Sequence, residues 1–184
     1  MTQHMVEGSL RLVREFVNTL DVEGGTEALA GPDDLGDWLR DNDLLGAGEA
    51  VTGADLGRAI ALREAVRELL AANHDGAPAA DGALATLNTA ARRARLRPEF
   101  TAAGTVRLAP AASGVDRAVG GLLVVIAEAM RDGRWRRLKV CHNDACRWAF
   151  FDASRSGAGK WCSMAVCGNR SKAAAWRTRH RDRR

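Results

Sequence analysis

The sequence predicts an α+β chain, with a mostly helical N-terminal domain carrying a small β-hairpin and a compact C-terminal module of treble-clef-like order. Three observations lead there. Apolar residues recur at helical spacing through most of residues 1–134. One stretch marked by Pro98 and Gly104 reads instead as paired strands. The chain's only four cysteines fall in its last quarter, as two pairs of identical spacing, Cys141-x4-Cys146 and Cys162-x4-Cys167. The boundaries that follow are 1–134 for a helix-rich regulatory or sensor domain and 135–184 for the cysteine module.

The elements follow in order. Leu10, Val13, Phe16, Val17 and Leu20 trace one helical face, with Gly24-Gly25 as its stop. Pro32 suits the first turn of a short helix, with Asp33 and Asp34 at its positive end and Leu35, Trp38 and Leu39 inward. Thr52-Gly53-Ala54-Asp55 reads as a capping box. It opens a longer helix carrying Leu56, Ile60, Leu62, Val66, Leu69 and Leu70 and ending near Asn73. Residues 74–82 form a loop by composition. Asp81 is placed to cap a helix with Leu84, Leu87 and Ala91. Residues 95–100 and 105–109 bracket Gly104 as a hairpin, with Pro98 on a sheet edge. An apolar helix over 115–130 has Val119, Leu122, Leu123, Ile126 and Met130 on a wide buried face, and Gly120-Gly121 permits close packing. Residues 134–140 read as a basic connector.

Cys141 to Cys146 predicts a knuckle, 148–152 a strand, Ser154–Gly159 a turn, and Ser163 the cap of a helix running through Cys167 toward Arg179. A module of roughly 45 residues with so few aliphatic side chains is not stable through its core alone. Structural zinc contributes on the order of 10–16 kcal/mol to such a fold. One structural Zn²⁺ held by Cys141, Cys146, Cys162 and Cys167 is the favoured reading. Two disulfides suit a reducing compartment poorly, a redox pair has two intervening residues rather than four, and an iron–sulfur cluster remains an alternative. Four cysteines leave a zinc ion no open position for catalysis. His142 beside Cys141 reads as a neighbour of the site or a surface residue. Trp148, Phe150 and Trp161 read as the module's small core.

The chain has 184 residues and a net charge of +4 that hides a split. Residues 131–184 carry 15 Lys+Arg against four Asp+Glu, a net of +11, and residues 1–130 a net of −7. This asymmetry points to an acidic body joined to a polyanion-binding end. No apolar run is long enough to span a bilayer, and the first residues lack the pattern of a secretory signal. A cytoplasmic protein is expected.

The run Cys141-x4-Cys146, Phe150-x-Asp152-x-Ser154-Arg155, Trp161-Cys162-Ser163-Met164-x-x-Cys167-Gly168-Asn169-Arg170-x-Lys172 resembles the CGNR zinc finger, named for its Cys-Gly-Asn-Arg tetrapeptide, over about 140–179. The body resembles, more loosely, the ABATE-type α/β domain that precedes this finger in stress-induced transcription regulators. The matching residues are Phe16-Val17-Asn18-Thr19, Asp34-Leu35-x-x-Trp38-Leu39 and Leu62-Arg63-Glu64-Ala65-Val66. The resemblance implies a bacterial regulator with a zinc-dependent DNA-binding end. The chain departs from the pattern at Glu15, where such proteins often have Asp, and at Gly157-Ala158-Gly159, where the turn is often basic.

Expected nucleic-acid contacts are Arg155, Lys160, Arg170, Lys172, Arg177, Arg179 and Arg181, with double-stranded DNA as the partner. Arg170 has a second reading as a brace of the knuckle, and Asn18-Thr19 reads as a polar helix end rather than a ligand pocket. The body would sense a small-molecule effector or form a homodimer. The alternatives are an RNA-binding zinc module and a protein-interaction adaptor. No nucleophile–base pair or phosphate-cradling glycine loop points to an enzyme.

Overall fold

The computed structural model describes residues 8–74 and 76–181. Helix α1 (Leu10–Val17) buries Leu10, Val13, Phe16 and Val17, the spacing that makes one apolar face. It stops before Leu20, because Asn18 and Thr19 end it. The Thr19 hydroxyl donates to the Phe16 carbonyl at 2.8 Å, while the Asn18 side chain leaves for a distant strand. Leu20 therefore begins a strand. β1 (Leu20–Asp21) and β2 (Thr26–Glu27) pair antiparallel, and Gly24-Gly25 is their turn rather than a helix stop.

Helix α2 (Pro32–Asp41) starts with the Gly31 amide donating to Asp34 at 2.8 Å, and sets Trp38 against Phe16 with ring centroids 5.3 Å apart. Helix α3 (Gly53–Ala72) has the expected capping box: Asp55 N–H donates to Thr52 Oγ1 and Thr52 N–H to Asp55 Oδ2. Its 20 residues form the central rod, packed against α1, α2 and α4 (Asp81–Arg93). Asp81 is the first residue of α4, not its cap, which is Ala80. Only Ala83 of α4 is fully buried, and Leu84 is 41% exposed, contrary to expectation. The helix meets the core through Ala83 and the half-buried Leu87, Ala90 and Ala91.

Strands β3 (Leu96–Phe100) and β4 (Val106–Pro110) form the expected hairpin, Phe100 opposite Val106 and Leu96 opposite Pro110. Helix α5 (Gly114–Arg131) packs on β4 at Gly120. A Cβ there would lie 2.6 Å from the Pro110 Cβ and 2.9 Å from the Ala94 Cβ, so only glycine allows the approach. Met130, expected inside, is 44% exposed at the far end of α5. No helix among the described residues is long and apolar enough to cross a membrane.

The supposed connector is structured. Arg134–Arg137 is one 3₁₀ turn that buries Trp135, and β5 (Leu138–Val140) then pairs antiparallel with β6 (Ala149–Phe151) in the register Leu138↔Phe151, Val140↔Ala149. Leu138, Val140, Ala149 and Phe151 join the same core as α1, α3 and α5. The knuckle thus grows out of a hairpin rooted in the body. A π-helical turn (Met164–Gly168), capped by Ser163 Oγ, leads into α6 (Asn169–Arg181).

Candidate zinc centre and basic face

Cys141 and Cys146 face each other across the loop that connects β5 to β6. Asn143 shapes it: its carbonyl accepts from the Cys146 and Arg147 amides at 2.8 and 3.0 Å, and its side-chain oxygen from Ala145 at 3.2 Å. Arg147, at φ 49°, reverses the chain so that the Trp148 carbonyl accepts from Cys141 N–H at 2.8 Å. Cys162 arrives beside the knuckle because the Lys160 carbonyl accepts from His142 N–H at 2.8 Å, and the π turn delivers Cys167.

The four sulfurs all lie within 4.8 Å of one another, with Cys146–Cys162 at 3.7 Å and Cys162–Cys167 at 3.8 Å. A tetrahedral four-thiolate zinc site, with a bond of ~2.3 Å, separates its sulfurs by about 3.8 Å. The electrostatics agree. Burial raises all three shifted thiols, but at Cys141 the amides of Cys162 and Asn143 and the neighbouring thiols outweigh it and leave that group lowered. Cys146 is pushed up to about 11 by burial and by the charge on Cys141, and Cys162 is raised further by the same two causes. A bound dication supplies the stabilisation that a set of clustered thiolates needs. His142 lies outside the sulfur set. Its ring stands edge-on to His74 and Trp161, with centroids 5.3 and 5.6 Å away.

A buried ion pair that sequence reasoning missed organises the turn after β6. Lys139 and Asp152 have side chains only 3% exposed each, 3.1 Å apart. Asp152 also accepts from Ser154 Oγ (2.6 Å), Ser154 N–H (3.1 Å) and Gly159 N–H (2.7 Å), and Lys139 donates to the Gly157 and Gly159 carbonyls. Burial raises the Asp152 carboxyl, but the Ser154, Gly159 and Lys139 donors bring it down to about 2. A Cβ on Gly159 would sit 2.8 Å from that carboxylate. Arg137 completes the clamp by donating to the Asp152 and Ser154 carbonyls.

Several side chains tie this centre to the body. Asn18 makes a two-bond clasp with Ala149, accepting from its N–H at 2.7 Å and donating to its carbonyl at 2.9 Å. Asn73 donates to the Trp135 and Leu138 carbonyls. Arg67, 1% exposed, donates to the Val17 carbonyl at 2.7 Å and to the knuckle's Arg147 carbonyl at 3.1 Å. Beside it, Arg63 makes a two-pronged contact with Glu27 at 2.7 Å per bond, and Glu64 bridges the two arginines.

Arg155, Lys160, Arg170, Lys172 and Arg177 all have exposed side chains. The side chains of Arg179 and Arg181 lie outside the described residues. Arg170 does not bond the knuckle; it pairs with Glu23 of the β1–β2 turn. Arg170 and Arg177 line one wall of a cleft of about 700 Å³, and His142 to Ala145 line the other. Trp161 packs beside the sulfurs, but Trp148 is 37% exposed and Phe150 only half-buried. Glu15, the departure from the family pattern, pairs with Arg11 at 2.7 Å.

A helical body with small antiparallel hairpins, continued by a four-cysteine knuckle, hairpin and helix, defines a zinc-finger protein with an N-terminal α+β domain. The chain belongs to the ABATE family, described as "Putative stress-induced transcription regulator", whose profile matches residues 10–132, and the CGNR zinc finger matches residues 137–180. No curated protein matches the chain. The finger holds one structural zinc ion on its four cysteines.

Proposed function

We propose that the protein is a zinc-dependent, DNA-binding transcription regulator of the cytoplasm. Zinc fixes α6, and the Lys139–Asp152 pair holds the 154–160 turn, so that Arg155, Lys160, Arg170, Lys172 and Arg177 engage phosphates, while the body senses a ligand. The observation that carries this reading is the placement of five exposed cations on one metal-braced module whose body is acidic. Ala173 and Ala174, along the cleft, keep the wall of α6 low enough for a close backbone approach. With every zinc position taken by a thiolate, the metal's role is structural rather than catalytic.

Fluorescence anisotropy with duplex DNA between 50 and 200 mM salt tests the reading. Five phosphate contacts give a log–log slope of about −4 to −5; affinity that does not change with salt overturns it. One observation favours a second partner. Trp176 is 55% exposed and stacks on His180 at 4.2 Å, an arrangement that offers a face to an unpaired base. Competition by single-stranded RNA stronger than by duplex DNA would select that reading.

A further inference from the structure

A groove of about 320 Å³ lies where α3, α4 and α5 meet, on the body and apart from the zinc centre. Its floor is apolar: Leu62 from α3, and Val115 and Val119 from α5, all buried members of the main core. Its walls are built from small side chains, Ala61, Ala85 and Ala90, so that the space between the helices is left unfilled. Around the mouth stand four charges. Asp55 and Arg58 pair with each other on α3, while Arg93 on α4 and Asp116 on α5 pair through two bonds of 3.1 and 3.2 Å. Arg93 is also near enough to Asp55 for its charge to act there. The four sum to no net charge, each arginine already pairs with a carboxylate, and Thr86 and Thr89 add hydroxyls to the rim.

We infer that this groove is a binding site for a compact, uncharged, mostly apolar molecule whose few polar atoms meet the rim. The volume stands at the small end of ligand sites, which run from ~300 to 1,000 Å³. The neutral rim offers a charged molecule no excess of opposite charge, so an ionised ligand would lose hydration over an apolar floor without a net counter-charge to replace it. Leu62 on the floor is followed by Arg63, and one turn on by Arg67, which bonds the knuckle. A ligand pressing on α3 therefore acts on the element that holds the finger. The inference deepens the sensing role proposed for the body and rests on it.

The test uses the full chain with zinc and the uncharged fluorophore N-phenyl-1-naphthylamine, beside anionic 8-anilino-1-naphthalenesulfonate. The double variant A61L/A85L fills the groove from two exposed positions, leaving the core intact. Saturable binding of the uncharged probe, weakened at least tenfold in the variant and tighter than that of the anionic one, supports the site. Equal affinity in both proteins, no saturable binding, or preference for the anion overturns it. Duplex DNA affinity is measured in the same samples. A groove that takes the probe without changing DNA affinity keeps the site and removes the sensing role, whereas loss of DNA binding alone leaves the groove result standing.

Discussion

Arg63 and Arg67 are 2% and 1% exposed, two charges buried inside a helix that otherwise buries an apolar stripe. The reason lay in the spacing. Ala59, Leu62, Val66 and Leu70 define a face on which positions 63 and 67 must also fall. The sequence shows the two arginines; it does not show Glu27, 36 residues before Arg63, as the partner that makes burial tolerable. Glu27 is held below its ordinary value of 4.5 chiefly by its bond to Arg63, against the opposing effect of burial. Since the folded-state value is the lower one, the pair stabilises the protein fully above pH 4.5 and progressively less as pH falls below it. Glu27→Gln should cost about 2 kcal/mol at pH 7 in urea denaturation, less than the ~3–5 kcal/mol of a fully buried pair because Glu64 remains. The gap from the parent should narrow on acidification below pH 4.5. Asp152→Asn leaves Lys139 charged and buried, and should cost about 3 kcal/mol by the same measurement. Gly159→Ala forces a methyl against that carboxylate, with an expected loss of about 1–3 kcal/mol.

At the scale of elements, the β5–β6 hairpin serves two structures at once. Its Leu138, Val140, Ala149 and Phe151 complete the body's core, while its connecting loop carries the first two zinc ligands. The knuckle and the long helices are legible in the sequence, because cysteine spacing and apolar period are local signals. Residues 134–140 looked like a connector because Arg134, Arg136, Arg137 and Lys139 dominate the composition. Their ordering comes from contacts far along the chain: Asn73 to the Leu138 carbonyl, Lys139 to Asp152, and Asn18 to Ala149. Two outcomes follow from the shared hairpin. Asn18→Ala strands the Ala149 amide and carbonyl and should cost about 2 kcal/mol, read by thermal or urea melts. Removing zinc with EDTA should expose the amides of residues 161–174 to rapid hydrogen exchange, while those of Leu138–Val140 stay protected by the body. Equal loss of protection in both segments would show that the hairpin depends on the metal instead.

At the scale of the whole molecule, helix α3 is one of the elements that join the acidic body to the basic finger. Helix α3, about 30 Å long by its 20 residues, runs from the groove beside Asp55 to the contact of Arg67 with the knuckle. The charge split and the paired cysteines were legible in the sequence; the joint between the halves was not, because its bonds are carried by Asn18, Arg67 and Asn73, which give no local signal of their distant partners. The account accordingly predicts that the finger does not act alone, and that zinc matters to function by fixing a basic surface rather than by chemistry. The most direct measurement is genomic footprinting of the protein beside Cys162→Ser, with circular dichroism to show that the helical body of the variant remains folded. The account predicts discrete protected sites for the parent and their loss in the variant. The same footprint from both proteins would contradict it.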